Sequence, residues 1–492
     1  MLSAHRLPVL SCADYAALET AYLKQNPGSD WNLMQRAAEE LAFESLIFLN
    51  RKPEKILVLV GSGNNGADAL LAAVLASTEK TEITAVFATE SPSTPLAKKV
   101  WQLTRQRVTK VSPQKFKTLA KTDFCLIFDG LLGQGFRAPL RPEMKKIILA
   151  SHSLNGLRIA VDLPSGVGDD SKGPAFKADL TISIGCLKRP LLEPKNTRYV
   201  GRIRVIDIGL PLGVGTDSCS TLSALDPIKK PRSSNTEKRQ QGRILIVGGS
   251  QSMPGAVIMN TAAALQAGGG LVTTCLPQSI RARAAVAYPE AMWNGLSTNT
   301  SGVILPPKNL PKLLKQKDVL LIGSGMSEKS SVTIKKFITN FGGDVILDAD
   351  ALRPEVVKNI PAGKNYILLP HAGEFLRLSG KKMSAETGRA FARKTKTIVV
   401  LKGPMTMITD GTHLIYVPFG GPILARGGSG DCLAGMIAAV VARRRTLKLS
   451  LMGAVECGVV WHARAADLLR QDEGEEAVRT TQILSELSKA LK

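Results

Sequence analysis

The sequence predicts an α/β fold organised as two domains. Its 492 residues exceed what one hydrophobic core ordinarily accommodates. The composition, 44% hydrophobic with 44 glycines, is typical of folded α/β proteins and argues against extended disorder. Short apolar runs of strand length recur along the chain, and each is followed by Gly, Asn or Asp and then by residues at helical spacing. This alternation predicts parallel sheets built from strand–helix units.

The first half begins with helices and continues as strand–helix units. Apolar residues at helical spacing predict helices over residues 13–23 and 31–49, with Asp30 as a cap of the second. Buried strands are predicted at residues 56–60, 124–128, 157–161, 180–184 and 202–206. We assign residues 1–222 to this first domain.

A basic stretch with Pro and Ser, residues 223–241, lacks periodicity and predicts a linker. Residues 242–492 form the second domain and repeat the α/β pattern. Its strands are predicted at residues 244–247, 271–276, 319–322, 345–347, 366–369 and 397–401. Helices are predicted to start at Gly430 and to cover residues 449–470 and 481–491. His462, on an apolar helix, is assigned to the core.

Polar side chains follow three strands of the first domain. The loop at residues 61–66 reads G-x-G-x-x-G between a strand and a helix, which by itself is weak evidence for dinucleotide binding. Asn64, Asn65 and Asp68 add oxygen atoms that suit a cation or a sugar-phosphate. Two further strand ends supply Asp129, Asp162 and Ser165. Because parallel strands end at a common edge, these residues predict a ligand site.

A glycine-rich turn at residues 427–430 leads into an apolar helix. The N–H groups of such a turn converge, and the helix N-terminus adds partial positive charge, so the turn can bind an anion. Asp431, at its mouth, is placed to take a proton from a bound hydroxyl. The alternative is a plain loop-to-helix junction with an acidic residue in its first turn.

Lys and Arg exceed Asp and Glu by 23. Such an excess suits nucleic acid, anionic metabolites or merely a basic solvated surface. The basic residues are spread widely with few aromatic residues among them, so no stacking platform for nucleic acid is predicted. We interpret the charge as a solvated surface that also helps to attract phosphorylated ligands.

The seven cysteines form no Cys-x-x-Cys pair and no Cys/His cluster, which predicts reduced, buried thiols and no zinc site. No apolar run approaches the roughly 20 residues of a bilayer span. The N-terminus lacks the apolar region of a signal peptide. We expect a cytoplasmic protein.

Several ordered motifs of the second half resemble those of the ribokinase-like, ADP-dependent NAD(P)H-hydrate dehydratases: residues 248–250, 289–292, 347–352, 370–375, 401–406 and 427–431. The first half is similar to the NAD(P)H-hydrate epimerase domain at residues 61–66, 128–135 and 161–166. Their order matches the family of bifunctional nicotinamide-nucleotide repair enzymes. The resemblance implies an N-terminal Rossmann-like three-layer sandwich and a C-terminal ribokinase-like three-layer sandwich.

The resemblance implies that the second domain repairs NAD(P)H hydrated at C6 of the nicotinamide ring. ADP, with Mg²⁺, phosphorylates the ring hydroxyl of the S epimer; phosphate then leaves, giving NAD(P)H and AMP. Asp431 matches the catalytic base. The family's nucleotide contacts match Lys402, Gly403, Pro404, Met405, Thr406 and Gly430, and its hydrate contacts match Ala256, Gly325, His371 and Asp431. The alternative role for His371 is that of a packed, hydrogen-bonded residue.

By the same resemblance, the first domain interconverts the R and S hydrates and binds a potassium ion through Asn65, Asp129 and Ser165. Asp162 is the carboxylate expected to assist epimerisation by proton transfer. The family's substrate contacts match Asn64, Asn65, Gly66, Ala67, Asp68, Gly133, Gln134, Gly135, Phe136, Arg137, Ala138, Pro139 and Asp162. We expect small-molecule substrates (NAD(P)H hydrate and ADP), a homo-oligomer, and neither nucleic acid nor a membrane as partner.

Three stretches depart from the family pattern. Residues 66–69 read Gly-Ala-Asp-Ala where the family usually has Gly-Gly-Asp-Gly; an alanine forced to positive φ would cost about 1 kcal/mol and crowd the pyrophosphate. Residues 323–325 replace an expected Gly-Pro-Gly, and residues 418–422 lack the usual Asn. Two other hypotheses stay open: a ribokinase-like small-molecule kinase with a degenerate first domain, and a basic nucleic-acid-binding or scaffold protein.

Overall fold

The chain divides into the units Leu7–Gly215 and Thr216–Lys492, each built on its own parallel or largely parallel sheet. The structure, a computed structural model, describes residues 6–492 except the side chain of Lys117. The division falls before the predicted linker. Strand Asp217–Ser220 pairs in parallel with strand Leu414–Val417, so the chain from residue 217 onward belongs to the C-terminal unit.

The N-terminal unit has a seven-stranded parallel sheet with helices on both faces, and two further strands that pair with each other. Its strands are β1 (Arg6–Leu10), β2 (Lys55–Val60), β3 (Glu82–Phe87), β4 (Val108–Val111), β5 (Asp123–Gly130), β6 (Asn155–Val161), β7 (Leu180–Ile184), β8 (Leu187–Lys188) and β9 (Arg202–Ile206). Its helices are α1 (Cys12–Gln25), α2 (Asp30–Leu49), α3 (Asn64–Leu75), α4 (Pro95–Thr104), α5 (Phe116–Leu119), α6 (Pro142–Ser151) and α7 (Thr197–Val200). The strand order is β4-β3-β2-β5-β6-β7-β9, and β1 pairs separately with β8.

The alternation of β2 shows why this unit has three layers. Ile56, Val58 and Val60 pack into the core on one face, and Leu57 and Leu59 pack into the core on the other. A parallel strand covered on both faces needs a continuous apolar run, which is what this segment has.

The C-terminal unit has a larger sheet with one antiparallel strand. Its strands are β10 (Asp217–Ser220), β11 (Arg243–Val247), β12 (Leu271–Pro277), β13 (Met292–Leu296), β14 (Val319–Ile322), β15 (Asp344–Leu347), β16 (Tyr366–Leu368), β17 (Ile398–Leu401), β18 (Thr406–Thr409) and β19 (Leu414–Val417). Their order is β13-β12-β11-β14-β15-β16-β17-β18-β19-β10, and β18 runs antiparallel to both neighbours.

Helices cover both faces of this sheet: α8 (Asp226–Lys229), α9 (Pro254–Gln266), α10 (Gln278–Ala287), α11 (Leu310–Leu314), α12 (Ser331–Asn340), α13 (Pro354–Val357), α14 (Ala372–Ser379), α15 (Ala385–Thr395), α16 (Ser429–Ala442) and α17 (Leu451–Glu473). On β11, Ile244 and Ile246 face one core and Leu245 and Val247 face the other. The predicted fold class, two α/β three-layer sandwiches, is confirmed. No helix within residues 6–492 is long and apolar enough to cross a bilayer.

The predicted helix over residues 481–491 is wrong: the segment forms two 3₁₀ turns, Thr480–Glu486 and Lys489–Leu491. The indole N–H of Trp461 donates to the carbonyl oxygen of Leu487 at 2.9 Å. An α-helix would give that carbonyl to the Leu491 amide, which instead donates to Ser488. The core assignment of His462 is confirmed, because it is 3% exposed and burial lowers its pKa to about 4.

Helices α9 and α16 pack closely because small residues meet at their contact. A side chain carbon at Gly435 would overlap the carbonyl oxygen of Asn260 and approach Ala263. The Asn260 side chain donates from Nδ2 to the carbonyl oxygen of Asp431 at 2.8 Å. This contact fixes the first turn of α16 relative to the sheet.

Gly435→Ala is therefore expected to lower the free energy of unfolding by at least about 2 kcal/mol, since the added methyl overlaps backbone that cannot yield. Urea unfolding followed by circular dichroism measures the change. Gly255→Ala is the control, because a side chain there meets nothing within 4 Å and alanine favours the helix by about 0.5–1 kcal/mol. Equal unfolding midpoints for Gly435→Ala and the wild type would contradict this packing.

Candidate active sites

The first turn of α16 contains backbone amides that have no acceptor within the helix. Gly428 caps the helix with φ 88°, and a side chain there would overlap the sulfur of Met259. The amides of Gly430 and Asp431 lie in the first helical turn, where no intrahelical acceptor exists. On the same turn, Thr480 Oγ1 donates to the carbonyl oxygen of Gly427 at 2.8 Å. Glycine is therefore required here, and the turn presents its N–H groups outward.

Asp431 carries a carboxylate with a raised pKa. Burial raises that pKa to about 6, and the nearby carboxylate of Asp348 adds to the rise. The Ser324 hydroxyl and the Lys402 ammonium oppose it, while Glu374 adds a smaller upward contribution. A carboxylate with a pKa near 6 is ionised at neutral pH and is a stronger base than an ordinary aspartate.

Lys402 connects the ends of neighbouring strands. Its Nζ donates to Oδ1 of Asp348 at 2.8 Å, and its backbone amide donates to the carbonyl oxygen of Pro370 at 2.9 Å. A side chain carbon at Gly430 would lie 3.3 Å from this Nζ. Burial alone would lower the pKa of Lys402, but the carboxylates of Asp348 and Glu374 raise it above the ordinary value. A fixed cation thus lies beside the amide turn.

His371 begins α14 and has a structural role in its own right. Its Nδ1 accepts from the amides of Gly373 (3.0 Å) and Glu374 (3.3 Å), while Glu374 Oε2 accepts from the His371 amide at 2.8 Å. Because Nδ1 accepts, the proton of the neutral ring lies on Nε2. The side chain is 59% exposed, and its Nε2 lies 3.5 Å from Glu374 Oε1.

The other residues predicted for the C-terminal site lie along the same strand ends. Gly325 has φ 67°, and a side chain there would contact Ala256 at 3.1 Å, so these two residues are adjacent. Ser324, next to Gly325, is the hydroxyl that faces Asp431. Residues 403–405 connect β17 to β18, and Thr406 is the first residue of β18. The structure therefore brings the predicted C-terminal residues into one continuous region.

Three groups in this region were missed as site residues: Ser324, Asp348 and Glu374. Asp348 immediately follows β15, and Glu374 completes the capping box of α14. Position directly after a buried parallel strand is the signal that would have identified Asp348.

The N-terminal unit places the three predicted potassium ligands together. Asp129 Oδ2 accepts from the Ser165 amide at 2.7 Å, and Asp129 Oδ1 accepts from Ser165 Oγ at 2.6 Å. Asn65 Nδ2 donates to the carbonyl oxygen of Leu132 at 3.1 Å. Burial raises the pKa of Asp129 to about 6, against the hydrogen bonds from Ser165. The Asp129 carboxylate and the Leu132 carbonyl oxygen both accept from Ser165 Oγ, and the Asn65 side chain binds the same carbonyl, so the three predicted ligands form one hydrogen-bonded cluster.

Asp162 follows β6 in a left-handed conformation with φ 66°. Its Oδ1 accepts from Lys188 Nζ at 2.5 Å and from the Ile184 amide at 3.0 Å. Lys188 is fully buried, and its ammonium also lies 4.0 Å above the ring of Tyr15. A non-glycine residue at positive φ persists only when its surroundings fix it, and the buried ion pair supplies that constraint.

Two more carboxylates lie near this pair. Burial raises the pKa of Asp68 well above its usual value, and the charges of Asp162 and Glu19 add to the rise. Burial likewise raises the pKa of Glu19, although Gln134 opposes the rise by donating from Nε2 to Glu19 Oε2 at 2.7 Å. Lys188 and Glu19 were not identified from the sequence, because the two-residue strand that ends at Lys188 carries no local signal of burial.

The other substrate contacts predicted for the N-terminal unit lie partly beside Asn65 and partly in the loop after β5. Asn64 Oδ1 accepts from Thr94 Oγ1 at 2.6 Å, and Arg137 folds back to donate to the carbonyl oxygen of Phe136 at 3.0 Å. Gly133 lies against Asn65, 3.1 Å from its Oδ1 when a side chain carbon is built. Gly135, Ala138 and Pro139 continue the same loop between β5 and α6.

The two alanines that depart from the family pattern are not strained. Ala67 and Ala69 lie inside α3, and neither has a positive φ. Gly66 is the position that needs glycine, because a side chain there would meet the backbone of Gly61 at 2.8 Å or less. The steric argument against the epimerase domain is therefore not supported.

The side chains of the described residues do not by themselves form a metal site. Within residues 6–492 no group of three His, Cys, Asp or Glu residues is placed to hold a metal ion. Any cation at either site therefore relies on backbone, hydroxyl, amide or ligand oxygens as well.

Two α/β sandwiches with charged side chains gathered at strand ends are the architecture of a two-domain α/β enzyme. The family described as NAD(P)H-hydrate dehydratase matches residues 244–489, and the family described as YjeF-related protein N-terminus matches residues 31–190. A solved structure of protein SMU.573 from Streptococcus mutans is 28% identical, with a TM-score of 0.50 over 56% of this chain and 98% of that chain.

Full-length relatives carry both halves. The bifunctional NAD(P)H-hydrate repair enzyme Nnr of Coxiella burnetii is 30% identical over 93% of this chain and 94% of its own length. The enzyme of the same name from Thermofilum pendens is 30% identical over 94% of this chain and 91% of its own. The chain belongs to the family of bifunctional NAD(P)H-hydrate repair enzymes, and the family predicted from its motifs is confirmed.

Proposed function

We propose that the N-terminal unit interconverts the R and S epimers of NAD(P)H hydrate and that the C-terminal unit dehydrates the S epimer with ADP, giving NAD(P)H, AMP and phosphate. The single observation that carries the proposal is Asp431, a carboxylate with a pKa near 6 beside both an ammonium and free helix amides. A base next to an anion-binding turn is what phosphorylation of a hydroxyl requires.

In the proposed dehydratase reaction, Lys402 and residues 403–406 bind ADP, with the Gly430 amide at the transferred phosphoryl group. Asp431 takes the proton of the ring hydroxyl. The hydroxyl oxygen bonds to the β-phosphorus of ADP, and AMP leaves. The ring carbon–oxygen bond then breaks, phosphate departs with that oxygen, and loss of a proton from the adjacent ring carbon restores the double bond. The turn amides stabilise negative charge throughout.

The residues present suit Mg²⁺ that is bound mainly by the nucleotide. Mg²⁺ commonly takes one or two carboxylates together with phosphate oxygens and water, and Asp348 and Glu374 offer carboxylates near Lys402. Bound there, the ion would neutralise charge on the diphosphate. Asp348 is also the partner of Lys402, so its first role is to orient that ammonium.

Asp431→Asn is expected to lower ADP-dependent recovery of NADH by at least about 10²-fold, because the general base is lost. Binding of ADP should be unchanged or tighter, since a negative charge beside the diphosphate disappears. Absorbance of reduced nicotinamide measures recovery, and calorimetry measures binding. Asp472→Asn, the same chemical change at a surface ion pair, is the control; comparable turnover in the two variants would remove Asp431 from the mechanism.

The rate of dehydration should fall as the pH drops through about 6, because only the ionised Asp431 accepts the proton. Asp348→Asn removes a negative charge that raises this pKa, so the acid limb of kcat/KM should move to lower pH. Ionisation of ADP itself would not respond to the substitution. A limb that stays in place in Asp348→Asn would exclude Asp431 as its source.

For the epimerase, we propose that Asp162 transfers the proton and that Lys188 positions it. The support is the 2.5 Å buried ion pair, which fixes the carboxylate near Glu19, the residue that accepts a hydrogen bond from Gln134. Asp68 and Glu19, whose pKa values are raised by burial, add two carboxyl groups near this pair. Gln134 links this cluster to the predicted substrate loop.

Asp162→Asn should slow interconversion of the epimers by about 10²-fold or more while leaving dehydration of pure S hydrate unchanged. Lys188→Met should lower both epimerisation and stability, because it leaves a buried carboxylate without its partner. The double variant, Asp162→Asn with Lys188→Met, should regain stability but not epimerisation. Chromatographic separation of the epimers gives the rates, and normal epimerisation in the double variant would refute both roles.

We also propose that Asn65, Asp129 and Ser165 bind potassium, with the Leu132 carbonyl as a further oxygen. Oxygen donors of this kind suit a hard cation. Epimerisation should be faster in KCl than in LiCl at equal ionic strength, and Ser165→Ala should reduce the difference. Equal rates in both salts for the wild type would contradict the proposal.

We also propose that the protein is cytoplasmic and forms a homo-oligomer. All seven cysteines are free and buried, which suits a reducing compartment. The small-molecule substrates are hydrated NAD(P)H and ADP.

A further inference from the structure

Arg443 caps the carboxyl end of α16 and is an arginine without a partner. It is 6% exposed, and its Nε and Nη2 are buried with no hydrogen-bond acceptor among the described residues. Burial, together with the positive charge of Arg232, lowers its pKa to about 10. A buried guanidinium without an acceptor is unfavourable unless a ligand supplies one.

A second guanidinium approaches the first. A side chain carbon built at Gly268 would lie 2.8 Å from Arg232 Nη2 and 3.0 Å from Arg443 Nη1. Gly268 has φ 85°, and both guanidinium groups lie close to the backbone of this residue and therefore close to each other. No ion pair in the described part of the chain joins either arginine to a carboxylate.

Two other arginines next to these segments, by contrast, have carboxylate partners. Arg243 pairs with Asp318 at 2.8 Å, and Arg444 pairs with Asp344 at 2.9 Å. Burial raises the pKa of Cys457, the other ionisable group near Arg443, to about 12, so it stays neutral. Two positive charges therefore face each other without internal compensation.

The chain around the two arginines is anchored. Thr446 Oγ1 donates to the carbonyl oxygen of Gln240 at 2.8 Å, and the Gly270 amide donates to that of Gln241 at 2.8 Å. These bonds join residues 238–241, the loop after α9 and the loop after α16. Further positive charges on these segments attract anions towards the pair: Lys230, Lys238, Arg239, Arg445 and Lys448.

We propose that Arg232 and Arg443 form a binding site for a phosphate-class oxyanion, separate from the nucleotide site. Guanidinium groups bind such anions through paired N–H donors. Asp431 and Arg443 stand at opposite ends of α16, roughly 18 Å apart at 1.5 Å per residue, so one ion cannot occupy both places. The site gives the basic segment that follows the N-terminal unit a role beyond surface charge.

Titration of the full-length protein with inorganic phosphate, in the presence of saturating AMP to fill the nucleotide site, tests the proposal. Wild type should bind phosphate, and Arg232→Ala should bind it at least ~tenfold more weakly, with dehydratase activity at low phosphate unchanged. Arg239→Ala, which removes the same charge from an exposed arginine of the same segment, is the control and should weaken phosphate binding much less than Arg232→Ala does. Equal phosphate affinity in all three proteins would overturn the proposal.

Arg443→Met separates ligand binding from a structural role. In phosphate-free buffer this variant should melt no lower than the wild type, because an uncompensated buried charge has been removed; in phosphate only the wild type should gain stability. A lower melting temperature in both buffers would mean that Arg443 is structural and would overturn the proposal. Parallel titrations with glycerol 3-phosphate and with phosphatidate-containing vesicles show whether a free ester or a lipid headgroup also supplies the phosphate group.

Discussion

The ion pair between Lys402 and Asp348 is the contact on which the dehydratase site depends. Lys402 follows β17 and reaches past the end of β16, where its amide binds Pro370, to a carboxylate that follows β15. Neither charge is stable in this setting without the other. Their pairing fixes an ammonium near Gly430 and leaves Asp348 close enough to raise the pKa of Asp431. Binding of phosphate and strength of the base thus have one structural origin.

The N-terminal unit follows the same physical logic with different residues. Its buried ammonium, Lys188, binds Asp162, while burial, and to a lesser extent the charge of Asp162, raises the pKa values of Asp68 and Glu19. In both units the carboxyl edge of a parallel sheet collects the charged side chains, since strand ends are where the backbone leaves the hydrophobic layers. Burial then determines which of those groups hold a proton.

Much of the fold was predictable because fully covered parallel strands need unbroken apolar runs. β7 and β14 have the predicted boundaries, whereas the two-residue β8 and the antiparallel β18 carry no such run. The glycine-rich turn before Asp431 was predictable because its chemistry is local. Roles for Lys188 and Asp348 were not, because Lys188 contacts Tyr15 and Asp348 contacts Lys402 across long stretches of chain. The residues of each site are far apart in the sequence, and only the folded sheet brings them together.

The central claim is that the ring oxygen leaves as part of phosphate after Asp431 has taken its proton. It is tested most directly by preparing the S hydrate with ¹⁸O in the ring hydroxyl and incubating it with the enzyme and ADP in ordinary water. Mass spectrometry of the released phosphate should find the label there. Unlabelled phosphate, with ¹⁸O recovered in water, would contradict the account.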